Sequence, residues 1–263
     1  MFTVEAVFCD EVWVLDGDVL VHDLEDLVGL SCVTGIRGDL TIDSPDLAHL
    51  GELSSLSEVG GSVQISTSAA LVDLYGLDSL VAIGGDLWIY GNRSLIGLGG
   101  LDALQAIGGN LKVDFNDSLR HLDGLQTLQT ARGVFLFGNP ALETTDGLSG
   151  LKGELSGHLL IHQNDALSSL DGLSGIASIG EELSLWDNDR LGDVDGLSAL
   201  ASVGRTVAIS ANGSLTDIGG LSGVAAVGGD VDMGDNPVCE SLVEAWLAGV
   251  DVGGRVWATG DDC

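Results

Sequence analysis

Two histidines, His158 and His162, are the first residues here whose type and spacing suggest chemistry, a shared metal ion. Imidazoles four apart chelate together only on a helix. The residues between them, Leu159-Leu160-Ile161, continue an alternating strand pattern. Four residues of strand span roughly 13 Å, too far for one ion. The other three histidines are scattered, so no metal site is expected. Asp187-Asn188-Asp189 offers oxygen ligands of the kind Ca²⁺ takes, but corner Asp residues commonly just form the turn. Ca²⁺ is therefore the sole hint of a cofactor. No nucleophile elbow, phosphate-binding loop or dinucleotide fingerprint occurs, and no enzymatic activity is expected.

What remains is binding chemistry carried by rings. Strand alternation places every second residue of a short apolar run on the solvent face. Applied along the chain, it puts Trp88, Tyr90, Phe135, Phe137, His162 and Trp186 outward, with Leu160 among them. Aromatics are only 5% of the chain, so this is a concentration rather than scatter. Contiguous exposed apolar surface marks binding sites, and aromatics dominate interface hot spots. A protein partner, another copy of the chain included, is the first reading of these seven residues. Carbohydrate stacked on the rings is the second. In the third, a neighbouring domain covers the face, and the protein is a structural spacer or envelope component.

The elements that position the rings are repeats. Gly38-Asp39-Leu40-Thr41-Ile42 recurs as Gly61-Ser62-Val63-Gln64-Ile65, Gly85-Asp86-Leu87-Trp88-Ile89 and Gly109-Asn110-Leu111-Lys112-Val113, with later units at Gly157, Glu181, Arg205 and Gly229. From Gly61 the starts fall 24 apart, except that Val134-Phe135-Leu136 comes one residue early, a slip the next interval restores. Two landmarks follow in phase. One is an asparagine (Asn92, Asn116, Asn139, Asn164, Asn188, Asn212, Asn236). The other is Gly-Leu, eight residues later in each complete unit, as at Gly100-Leu101 and Gly172-Leu173. One such unit cannot bury its own apolar edge, so neighbours must stack. The expectation is a β-solenoid, a right-handed parallel β-helix of about ten 24-residue coils, with the asparagines forming an internal amide ladder. Ten strands at their usual spacing give a rod on the order of 45–50 Å long. The chain reads as one domain, with an N-terminal cap over 1–36, regular coils over 37–235 and a C-terminal cap over 236–263.

This unit, as in Leu197-Ser-Ala-Leu-Ala-Ser-Val-Gly204 followed by a short strand and Asn212-Gly-Ser-Leu215, resembles the receptor L-domain family. These are the leucine-rich β-helices of insulin-receptor and growth-factor-receptor ectodomains, and bacterial surface and yeast cell-wall proteins carry similar repeats. The resemblance covers roughly residues 9–263. It implies a cell-surface or extracellular recognition role, with ligand bound on the sheet face as in some receptor L domains. The array is longer and more regular than a typical receptor domain. No cysteine-rich or kinase region follows, so signalling is not carried over.

The ends carry their own signals. Cys9 with Cys32, and Cys239 with Cys263, sit outside the regular repeats and read as end-cap disulfides, which places the protein in an oxidising, extracytoplasmic compartment. Residues 23–30 have helical apolar spacing. So does the run after Asn236-Pro237, where Leu242, Val243, Trp246 and Leu247 can cover the last coil and Pro237 suits the first helical turn. The net charge is −31, with 9 basic against 40 acidic residues, which repels nucleic acid and anionic lipid. No apolar run is long enough to span a membrane, and Met1–Val14 lacks the basic start of a secretion signal. Arg37-Gly38-Asp39 and the Asn-x-Ser triplets at Asn92, Asn116 and Asn212 read as accidents of the repeat.

Overall fold

The computed structural model describes residues 13–261. Its framework is parallel β-sheet, consistent with a solenoid-like stacking of repeats. Each repeat gives one strand to an eleven-stranded sheet that runs from Val19–Val21 through Leu40–Asp43, Val63–Ser66, Leu87–Tyr90, Leu111–Asp114, Val134–Phe137, Leu159–His162, Leu183–Trp186, Val207–Ser210 and Val231–Gly234 to Val256–Ala258. The expected interior column is present. Leu87 pairs with Leu111, Leu159 with Leu183, Leu183 with Val207 and Val207 with Val231, and all six are 0–1% exposed. The remaining leucines of a unit, such as Leu98, Leu101 and Leu104, complete one continuous core. Each such side chain contributes about 1.5–3 kcal/mol by leaving water.

Two further parallel sheets of five strands form a side wall, one from Trp13–Leu15 to Ala106–Ile107 and one from Gly153–Leu155 to Asp251–Val252. They part at the slip. Between them Thr130 makes only an isolated bridge to Ala106. The long sheet does not register the missing residue, because Leu111 through Asp114 pair in order with Val134 through Phe137. The slip is thus absorbed in the corner and the side wall, and the sheet that carries the rings stays continuous.

Two side-chain ladders hold the corners. The asparagine amides stack as expected: all seven are buried, and each of Asn92, Asn116, Asn139, Asn164 and Asn188 donates its backbone N–H to the Oδ1 of the next at 3.0–3.2 Å. Each Nδ2 also donates to a strand carbonyl of the preceding repeat, as Asn164 does to Leu136 at 3.0 Å. The second ladder is the Asp of the Gly-Asp motif. Asp39 Oδ1 accepts from the Ser62 N–H, Asp86 Oδ1 from Asn110 and Asp230 Oδ1 from Arg255. Asp39 of the Arg-Gly-Asp tripeptide is therefore a corner residue.

The residue before each ladder amide lies in the left-handed region, as does Thr67 before Ser68, whose N–H donates to Asn92 Oδ1: Thr67, Gly91, Phe115, Gly138, Gln163, Asp187, Ala211 and Asp235, all at φ 50–67°. Only two are glycine. The non-glycine members cost roughly 1–2 kcal/mol each, and the ladder offsets this by satisfying the corner backbone. The Gly of Gly-Leu has a different reason. A Cβ on Gly172 would stand 1.8 Å from the Thr145 carbonyl oxygen, so these turns stack only without a side chain.

Both expected helices form. Leu24–Val28 is capped by Asp23 and Asp26 in a reciprocal box. The second runs Glu240–Leu247 with Cys239 as its N-cap, which leaves Pro237 ahead of the helix and not in its first turn. Each helix occupies the stretch between a long-sheet strand and a side strand, where inner repeats carry the leucine-bearing turn. The outermost strands are therefore Val19–Val21 and Val256–Ala258, inside the regions read as caps. Val243 and Trp246 are buried, and Trp246 Nε1 donates to the Leu221 carbonyl at 3.0 Å, but Leu242 points outward at 45% exposure. Cys32 and Cys239 are each disulfide-bonded, and their expected partners Cys9 and Cys263 lie outside the described residues.

Candidate functional site

Two columns of side chains run along the outer face of the long sheet. In-register pairing puts Gln64, Trp88, Lys112, Phe135, Leu160 and Ser184 in the first, and Ser66, Tyr90, Asp114, Phe137, His162 and Trp186 in the second. All seven residues picked out by alternation thus lie on one surface. Trp88 and Tyr90 rings stand 5.5 Å apart, Phe135 and Phe137 6.3 Å, Phe137 and His162 4.7 Å, and His162 and Trp186 6.0 Å. The last two contacts are edge-to-face, the geometry ring quadrupoles favour. Trp88, Tyr90 and Trp186 remain 36–41% exposed, while Phe135, Phe137, Leu160 and His162 are half-buried.

Two rings join that alternation does not point to. Phe115 follows its strand and sits at a left-handed corner, φ 56°, which turns its ring back to meet Tyr90 edge-on at 5.7 Å. It also lies over Gly138, where a Cβ would come within 2.7 Å of the ring. The only trace in the sequence is a large apolar residue just before a ladder asparagine. His158, ahead of its strand, packs on Phe135 at 5.9 Å. His158 and His162 are thus separate members of the ring surface. Among the described residues no group of three or more His, Cys, Asp or Glu is placed to hold a metal. Asn188 of the Asp-Asn-Asp corner spends its amide in the ladder. The Asn-x-Ser asparagines 92, 116 and 212 are likewise fully buried.

The repeat between the two ring groups is charged. Lys112 Nζ binds Asp86 Oδ2 at 2.6 Å and stands 6.0 Å over the Trp88 ring. Trp88 Nε1 donates to Asp114 Oδ2 at 2.8 Å, while Asp114 Oδ1 is buried without a donor. Burial pushes the Asp114 carboxyl up to about 6, only partly offset by the Trp88 N–H, the Lys112 charge and a Phe137 backbone N–H. Burial also raises Asp86, but the Asn110 N–H and the Lys112 ammonium outweigh it and hold that carboxyl below its ordinary value. Burial lowers His162, favouring neutral imidazole, which shares a 2.8 Å hydrogen bond with Ser184 Oγ.

Fold and face together define a repeat-built parallel β protein whose longest sheet presents an aromatic strip with one carboxylate set inside it. The chain matches no known family model and no curated protein sequence. No helix among the described residues is long and apolar enough to cross a membrane.

Proposed function

We propose that the chain is an extracellular or cell-surface recognition and scaffold protein that binds a protein partner through the aromatic face of its long sheet. In this reading it is a right-handed solenoid of the receptor L-domain type, without enzymatic activity. Its terminal repeats are stapled by Cys9–Cys32 and Cys239–Cys263. The observation that carries the reading is the outer face from Trp88 to Trp186, two ring groups flanking the Lys112–Asp114 repeat, built by in-register pairing of five adjacent strands. A core would bury these rings. Here Trp88 and Trp186 keep 36% and 41% exposure, and the polar neighbours Lys112, Asp114 and Ser184 are held by intramolecular bonds. Desolvating such a surface gains rigid apolar contact at low entropic cost. Carbohydrate stacked on the exposed Trp88 and Trp186 rings is the second reading, favoured by those same exposures.

The test replaces Trp88, Phe135 and Trp186 by serine. The triple variant is expected to fold and to lose capture of protein partners, with glycan arrays run in parallel. Partner capture unchanged in the folded triple variant removes the proposal. A dimer in solution that the variant loses assigns the partner as a second copy.

A further inference from the structure

We infer that the partner meets this face with an arginine, its guanidinium stacked on the rings beside Asp114. The inference rests on the partner-binding reading above and adds the chemistry of the contact.

Four observations point to it. The face belongs to a molecule of net charge −31, so its field draws a cationic segment and repels an acidic one. Asp114, in the middle of the face, has an acceptor oxygen with no donor. A buried carboxylate oxygen left without a donor is costly, and an incoming N–H relieves that cost. The cation on the same face cannot supply it, because Lys112 is held by Asp86 at 2.6 Å. Finally, this sheet already seats cations on its rings. Lys112 stands 6.0 Å over Trp88, and at the far end Arg255 lies 4.5 Å over Trp257, itself in the first outward column.

Arginine fits these features better than lysine. Its plane stacks on an aromatic face while its five N–H groups remain free at the edge for a carboxylate. Lysine offers a compact, strongly hydrated point charge that must shed more water to enter an apolar surface. The neighbours of Asp114 across the sheet are Tyr90 and Phe137. Tyr90, beside Asp114 on the neighbouring strand, is partly exposed, and exposed side chains rotate within picoseconds to nanoseconds; binding requires such a motion to open the occluded oxygen to the donor.

The experiment titrates the intact protein with blocked hexapeptides of arginine, lysine and citrulline. Nuclear magnetic resonance of the tryptophan indole N–H signals is the readout, with Trp88 assigned through Trp88→Phe. The arginine peptide is expected to shift the Trp88 signal and to bind at least fivefold more tightly than the lysine peptide. Citrulline, planar but uncharged, is expected not to bind. Asp114→Asn, near-isosteric and checked for folding by its melting curve, is expected to reduce the arginine preference to less than twofold. Equal binding of arginine and lysine, or an arginine preference that survives Asp114→Asn, overturns the inference. The two levels separate cleanly. A captured partner that needs Trp88, Phe135 and Trp186 but is not displaced by the arginine peptide refutes the arginine contact and leaves the recognition face standing.

Discussion

Replacing Asn164 by alanine tests how the corners beside the face are held. The side chain is fully buried. Its Nδ2 donates to the carbonyls of Leu136 and His162 and to Asn188 Oδ1 at 2.9–3.2 Å. Its Oδ1 accepts from the backbone and side-chain nitrogens of Asn139 at 3.2 and 3.3 Å. Alanine removes all five contacts at once and strips a buried backbone N–H at Asn139. The two Nδ2 hydrogens share three acceptors, so these contacts amount to about four bonds; at about 1 kcal/mol net each the loss is about 4 kcal/mol, or roughly 8–16 °C in melting temperature for a domain of this size. Repeats touch only their neighbours, so the lesion also weakens coupling between the halves of the array. Denaturant unfolding followed by far-ultraviolet circular dichroism and by tryptophan fluorescence is expected to show the two probes diverging. Asn236→Ala, at the end of the ladder with no further amide beyond it, is expected to cost less and to keep the probes together. A loss under about 1 kcal/mol at Asn164 refutes the ladder as the element that holds the corners.

Three further outcomes follow from named positions. Gly91 has φ 67° and open space where a methyl would stand, so Gly91→Ala is expected to cost only the left-handed penalty, about 1 kcal/mol, whereas Gly172→Ala drives a Cβ into the Thr145 carbonyl and is expected to cost about 3 kcal/mol or more in chemical denaturation. Ala211→Gly, at φ 56°, is expected to stabilise by about 0.5–1 kcal/mol, the relieved strain exceeding the added chain entropy. Asp114 titrates near 6 when folded against 3.8 ordinarily, so its protonated form is the one the fold favours. Its contribution is fully present below pH 4 and is lost as pH rises through 6. The shift is worth at most about 3 kcal/mol, reduced to about 1–2 by solvent screening. The difference in unfolding free energy between Asp114→Asn and the parent protein, measured from pH 4 to 8, is expected to grow with pH in favour of the variant. A flat difference contradicts the desolvated carboxyl.

Much of the stacking was legible from residues that cannot be moved. The Leu-x-Ile runs set which side chains face inward, and the phased asparagines set where each corner falls. Their in-register pairing follows once neighbouring repeats bury each other's edges. What was hidden has physical causes. The left-handed corners are filled mostly by Thr, Phe, Gln, Asp and Ala, because the ladder fixes the backbone and frees the residue type. Phe115 therefore carries no glycine mark, and its place on the face came only with the fold. The terminal strands keep the motif, as Gly17-Asp18-Val19-Leu20-Val21 and Gly254-Arg255-Val256-Trp257-Ala258. The first stands 21 residues before its neighbour, and the last follows a repeat that holds a helix, so neither reads as part of the regular array. The Asp ladder was hidden because Ser62 and Asn110 stand in the same column as the aspartates, and their shared role is a bond made across the corner.

If the aromatic face is where a partner sits, hydroxyl-radical footprinting of the protein alone and with a captured partner reads it directly. Labelling is predicted to fall at Trp88, Tyr90, Phe115 and Trp186 and to stay constant at Tyr75, 58% exposed outside the long sheet, and at Trp257, 48% exposed on the same sheet face three strands beyond Trp186. Protection at Tyr75 or Trp257 with the strip still labelled would contradict it.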